Sequence, residues 1–266
     1  MMPEKERISF SIVMPTLNAE RFLEDAIASV LRQAGEFALS LLVVDGGSTD
    51  GTLSILQGIS DPRVQIICDA GKGQAAAINL GLQQVQGNVL AWLNGDDRYL
   101  PGSLAAVAQA FAEHADAQWL AGRCEIIDAA GKPTRGSVTR FKERLAARFS
   151  FESLLRMNML SQPAVFWRRE FGERIGKLDE SLHWTMDYDL WLRMAQAAEP
   201  LMLEKRLASF RVHGSSKSAG GHRAQFEEGY QVASRYAGDR RLAKLRHRLA
   251  VEKIVWGYRA LRWLRR

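Results

Sequence analysis

The chain has 266 residues, 47% hydrophobic and 25% charged, which suits a soluble globular protein of one large domain, alone or with an appendage, and excludes a fibrous or disordered one. No apolar run approaches the roughly 18–20 residues that cross a bilayer. Its formal charge of +6 is uneven, because His222 to Arg266 hold 12 Arg/Lys against 4 Asp/Glu, and the residues before them are slightly acidic.

Met1 to Arg7 are charged and lead straight into a strand with no secretory leader, so the expected compartment is the cytoplasm. Cys68 and Cys124 match no metal-ligand spacing and read as buried thiols of a reducing compartment.

The first predicted strand, Ile8 to Met14, ends in Pro15-Thr16-Leu17-Asn18, where the proline is expected to stop the ladder. Ala19 to Gln33 has helical spacing in Phe22, Leu23, Ala26, Ile27, Val30 and Leu31. A second strand, Leu39 to Asp45, runs into the turn cluster Gly46-Gly47-Ser48-Thr49-Asp50-Gly51 and a short helix through Leu56. A third, Val64 to Asp69, is followed by Gly71-Lys72-Gly73-Gln74 and a helix from Ala75 to Val85. The fourth, Val89 to Leu93, breaks off in Asn94-Gly95-Asp96-Asp97.

Four strand-loop-helix units in a row imply right-handed crossovers and a parallel sheet, which places Asp45, Asp69 and the Asn94/Asp96/Asp97 group at one sheet edge. Ligands of such sheets bind beyond the carboxyl ends of the strands. The first turn lacks Gly-x-Gly-x-x-Gly, and Gly71-Lys72-Gly73 is not a P-loop, so a mononucleotide held by carboxylates, with a divalent cation on its phosphates, fits better.

From Pro101 a helix extends to about His114. Trp119 to Ile127, Ala164 to Trp167 and Ala208 to His213 read as strands, Asp128 to Lys132 as a hairpin turn, and Phe149 to Met159 as a helix. Asp187 and Asp189 open a further amphipathic helix, and Gly214 to Ser218 form a polar loop. In the basic C-terminal stretch Leu242, Leu245, Leu249, Ile254, Tyr258 and Leu261 follow helical spacing among Arg/Lys, with Trp256 and Trp263. It reads either as a helix pair packed on the domain or as an interfacial helix on anionic lipid.

Seven pieces in order then resemble the inverting family-2 glycosyltransferases of the GT-A fold. They are Ser11 to Asn18, Val44 to Thr52, Gly71 to Gln74 with Asn79-Leu80-Gly81, Leu93 to Asp97 with Pro101-Gly102, Gln162 to Phe166, Met186 to Trp191, and Phe210 to His213. The resemblance implies a Rossmann-like α/β sheet, mostly parallel and flanked by helices. A nucleotide-binding half covers about residues 8–100 and an acceptor half about 101–218, with a basic helical extension at 219–266.

By the same resemblance Pro15, Thr16 and Asn18 line the nucleotide pocket, Asp45 receives the base, and Asp69 and Lys72 lie beside the nucleotide. Asn94 and Asp96 take the outer positions of an Asp-x-Asp motif, Asp96 and His213 reach the metal (Mn²⁺ or Mg²⁺), and Lys217 helps with the phosphates. Asp187 matches the catalytic base, and Gln162 falls in a shaped loop near the acceptor. Apart from the resemblance, Trp184 reads either as an aromatic that stacks on an acceptor sugar or as a core residue. Asn94 stands where many members carry aspartate, Met186 replaces a glutamate often found before the base, and Gly71 and Ala76 stand in place of acids.

The implied partners are a nucleotide-sugar donor, probed first as a UDP-sugar, and a glycan or lipid-linked acceptor of surface-polysaccharide synthesis. The basic extension would touch the inner face of a membrane, and no nucleic-acid motif is present. The rival reading is a catalytically weak nucleotide-sugar-binding scaffold of a glycan-assembly complex.

Overall fold

A computed structural model describes residues 7–217 and 222–238. One eight-stranded mixed sheet forms its centre. Four strands are mutually parallel: β1 (Ser9–Thr16), β2 (Ala38–Asp45), β3 (Val64–Cys68) and β4 (Val89–Trp92), in the order β3-β2-β1-β4. Between them run helices α1 (Leu23–Leu31), α2 (Thr52–Gln57) and α3 (Gln74–Gln84). Beyond β4 come β5 (Arg98–Tyr99), α4 (Ser103–Glu113), β6 (Trp119–Ile127), α5 (Gly136–Ala146), α6 (Phe151–Arg156), β7 (Val165–Arg168), α7 (Arg169–Ile175), α8 (Met186–Ala197), β8 (Leu201–Arg211) and α9 (His222–Ala237). The sheet continues from β4 as β7-β6-β8-β5, with β7 antiparallel to both neighbours and β6 parallel to β8.

Strand alternation sends the central strands to two cores. Val13, Leu42, Val44, Leu90 and Trp92 meet α3, α6 and α8 on one face, while Phe10, Ile12, Met14, Val43 and Ala91 meet α1 and α4 on the other. Burial on both faces is why these strands read as unbroken apolar runs. On the first face Trp191 stacks on Trp92 and Trp119, centroids 5.4 and 6.1 Å apart, so α8 is seated directly over β4 and β6.

Several expectations need correction. Pro15 does not end β1, which pairs with β2 as far as Thr16↔Asp45. Pairing with β4 stops at Val13↔Trp92, so on that side the missing N–H of Pro15 has no ladder to break. Cys68 is exposed because β3 is an edge strand; Cys124 is buried. The predicted helix at Phe149–Met159 is only Phe151–Arg156, entered through a reciprocal Ser150/Ser153 capping box. The late strand starts at Leu201, seven residues before its predicted start at Ala208, and α5, α7 and β5 add elements the pattern did not give. Of the basic stretch, residues 239–266 lie outside the described residues.

Candidate active site

The carboxyl ends of β1, β2 and β4 open on one edge, as four parallel strands require. At the end of β1 the backbone turns sharply: Asn18 takes φ 51°, a conformation asparagine tolerates better than most residues. Two contacts clamp it, its N–H donating to Ser48 Oγ (2.8 Å) and its Oδ1 accepting from Thr49 N–H (2.8 Å). Pro15 and Thr16 are buried beneath this turn.

Asp45 has no exposed surface, and its own turn uses both oxygens. Oδ1 accepts from the N–H groups of Gly47 (3.0 Å) and Ser48 (2.9 Å), and Oδ2 from the Ser48 hydroxyl (2.5 Å). In this geometry Asp45 braces the Asn18 turn through Ser48. Next to it Asp69 donates its N–H to the Asp45 carbonyl (2.9 Å), and its carboxylate meets Lys72 Nζ at 3.4 Å.

The end of β4 carries the acidic motif. Gly95 is required there, because a Cβ would stand 2.8 Å from Thr16 Oγ1. Asn94 accepts from Gln74 Nε2 (2.9 Å) and donates to Asp97 and to Gln162 Oε1, each at 3.2 Å. Gln162 in turn donates to the Trp92 carbonyl (2.6 Å), so this amide buttresses the motif. Asp96 Oδ2 lies 3.0 Å from His213 Nε2, and Ser215 Oγ lies 2.9 Å from His213 Nδ1.

That 3.0 Å also suits two neighbouring ligands, each about 2.1 Å from an octahedral ion of the Mg²⁺ type. No cluster of three His, Cys, Asp or Glu able to hold a metal occurs among the described residues. An ion here would draw its other ligands from substrate phosphates and water, as small hard cations usually do.

Asp97 is fully buried, and burial, then the neighbouring Asp96 charge, pushes its carboxyl well up. Its partners are the Arg211 N–H (2.8 Å) and Asn94. Arg211 is a residue sequence reasoning passed over. It donates Nε to the Asp96 carbonyl (2.8 Å), pairs with Asp25 on α1, and lies 4.7 Å from the centre of the Phe22 ring. The available signal was a cation inside an otherwise apolar strand end.

Asp187 sits in the first turn of α8. Burial raises its carboxyl, opposed by the Tyr188 N–H (2.7 Å) and the Lys142 charge. Asn158 Nδ2 is 3.5 Å away. Just before it, Trp184 lies 5.9 Å beneath the Lys217 ammonium, which also donates to Gln74 Oε1 (3.2 Å). Contacts thus run unbroken from Trp184 through Lys217 and Gln74 to Asn94.

The loop bearing Trp184 is held from a distance. Glu228 on α9 accepts from the N–H groups of His183 (2.8 Å), Trp184 (2.6 Å) and Thr185 (2.8 Å), and from the Thr185 hydroxyl (2.8 Å). Thr185 makes no side-chain cap of its own, so a residue 43 positions later serves the α8 N-terminus. Nothing local in the sequence marks Glu228. Asn79 pins the same segment to α3 through both Leu178 backbone groups.

Known proteins share this architecture. The model of glycosyl transferase family 2 matches residues 11–164. A PGL/p-HBAD biosynthesis glycosyltransferase of Mycobacterium tuberculosis is 32% identical over 69% of this chain and 68% of its own. Among solved structures, S. aureus TarS 1-349 with UDP-GlcNAc superposes with TM-score 0.66 at 18% identity, covering 87% of this chain and 67% of that one. The mannosyltransferase PcManGT of Pyrobaculum calidifontis, with GDP-Man and Mn²⁺, gives 0.63 at 16%, covering 96% and 80%. The chain spans 40% of the longer TarS chain.

Proposed function

As the chain belongs to glycosyl transferase family 2, we propose that it moves a sugar from a nucleotide-diphosphate sugar, a UDP-sugar first among candidates, to a hydroxyl of a glycan or lipid-linked acceptor, with inversion. The observation that carries this reading is the contact run Trp184–Lys217–Gln74–Asn94, which joins the helix bearing Asp187 to the acidic motif of β4. The relatives' ligands support the donor class: UDP-GlcNAc in TarS, GDP-Man with Mn²⁺ in PcManGT.

Asp187 acts as general base. Its ionised carboxylate takes the proton of the acceptor hydroxyl as that oxygen attacks the anomeric carbon. The bond from that carbon to the diphosphate oxygen breaks and its electron pair leaves with the diphosphate, so one displacement inverts the centre. Burial makes the base stronger than an exposed aspartate, and such catalysis is worth typically about 10²–10⁴ in rate. The Lys217 and Lys72 amines offer positive charge to the departing phosphates. Asp96 and His213 would hold Mn²⁺ or Mg²⁺, which supplies Lewis-acid neutralisation of the leaving group. Trp184, with its face beside Lys217, would floor the acceptor side, and Asn18 with the Asp45 turn would frame the nucleoside.

Calorimetric titration with UDP-, GDP- and TDP-sugars, with and without Mn²⁺, tests the donor half. One nucleotide should bind in a metal-dependent way, and Asp96→Ala should abolish that dependence. Asp187→Asn should keep donor affinity and lose about 10²-fold or more in transfer. Donor binding without turnover in the native chain would leave the scaffold reading, and no nucleotide binding would sink both.

A further inference from the structure

Helix α5 has an inner face committed to the domain. Thr139 is buried, Lys142 Nζ donates to the Leu160 carbonyl (3.3 Å) and Ser161 Oγ (3.1 Å), and Glu143 pairs with Arg206 (3.1 Å). The outer face is different. Ser137, Arg140, Phe141, Arg144 and, just past the helix end, Arg148 are all exposed, and their spacing puts them on one stripe. Phe141 is 46% exposed, among the few large apolar side chains so placed.

Ordinary solvated helix faces mix signs and form pairs three or four residues apart. This one carries a single sign. Arg140, Arg144 and Arg148 enter none of the ion pairs found among the described residues. Nor is the surplus a spill-over from a basic domain. Gly131 to Arg148 hold six Lys/Arg and one Asp/Glu, whereas the rest of the chain before His222 has eighteen against twenty-five.

We infer that the outer face of α5 is a docking surface for an anionic lipid bilayer. Three arginines ringing an exposed phenylalanine suit an interface: the ring enters the headgroup boundary while the guanidinium groups stay at the phosphates on their long apolar stems. A nucleic acid would use the charge but gives the lone phenylalanine no partner of matching depth. The placement has a purpose under the transferase reading. Lys142, on the inner face, grips Leu160 and Ser161, and the next residue, Gln162, bonds Asn94. A bilayer against α5 would lie one layer from the site that takes a lipid-linked acceptor. The docking itself is testable apart from transfer.

The test is flotation of the full chain with vesicles of phosphatidylcholine alone, and with about a third phosphatidylglycerol. The native chain should float only with the anionic vesicles, less so as salt rises. Each arginine lost should weaken partition about fivefold, so Arg140→Gln/Arg144→Gln/Arg148→Gln should fall roughly a hundredfold with its thermal unfolding unchanged. Phe141→Ser, which leaves every charge in place, gives a second reading and should also weaken partition. Native-like flotation of both variants would overturn the inference and assign binding to another basic stretch. Failure of the native chain to float with anionic vesicles would overturn it too, as would capture of this face by RNA with vesicles ignored.

Discussion

Asp187 gives the residue scale its sharpest signature. The proposed general base works only when ionised, and burial raises the Asp187 carboxyl above the ordinary aspartate value of about 4. Transfer should therefore fall as pH drops through that raised value, placing the acid limb of the kcat profile above the usual carboxylate range. Lys142 is a cation that favours the ionised form. Lys142→Met should move the limb to still higher pH, and an unmoved limb would show that the amine does not act on the base. Asp45 makes a different prediction. Replacing it with alanine strips two backbone N–H groups and a hydroxyl of their buried acceptor. That should cost about 1–3 kcal/mol without any ligand, or roughly 2–4 °C of Tm per kcal/mol at this size. An Asp45→Ala chain as stable as the native one would limit the residue to binding.

At the scale of elements, the unit that matters is α8 with its borrowed cap. Glu228 holds three consecutive N–H groups ahead of the helix, and α9 is further fixed by Tyr236 OH to Asp189 (2.6 Å) and Arg235 to Asp179 (3.0 Å). Loss of a cap costs about 0.5–2 kcal/mol, so Glu228→Ala should lower Tm by a few degrees. It should also lower kcat more than it raises the donor KM, because the loosened turn carries Trp184 and leads into Asp187, while the loops proposed to hold the nucleotide lie on other elements. A donor KM that rises as far as kcat falls would show that the clasp serves the nucleotide side. Helices of this kind were hard to read in advance. In α5 the buried or inward polar positions are Thr139, whose hydroxyl has no partner, and Lys142 and Glu143, whose partners stand 18 to 63 positions away, so no apolar period announces them.

The whole molecule is keyed by four tryptophans. Trp191 is fully buried between Trp92 and Trp119, with Trp167 edge-on at 6.2 Å, and this seat fixes α8 over the sheet. Trp191→Ala should cost about 3–5 kcal/mol, measured by denaturant unfolding. The Trp191 indole N–H has no partner, so Trp191→Phe removes an unpaired donor along with some area and should cost clearly less. Equal losses for both variants would mean that ring size alone sets the seat.

What the sequence determined by itself is the first half of the molecule. Each central strand is buried on both faces, so its composition alone identifies it, and each stops at a polar residue facing the same edge. The positions of Asp45, Asn94 and Asp96 at that edge were legible for that reason, as were the crossover helices, while Asp69 was read from the end of β3, an edge strand that is only partly buried. Recognition of the ordered motifs extended this to Asp187 and His213. Tertiary structure decided which groups those residues actually meet. His213 closes on Asp96 across 117 positions, Arg211 buckles the acidic motif to α1 across 186, and Glu228 reaches the N-cap residue Thr185 of α8 across 43. Such contacts leave no local period or turn signal. Each is a single polar side chain whose partner exists only once the sheet has brought distant strand ends together.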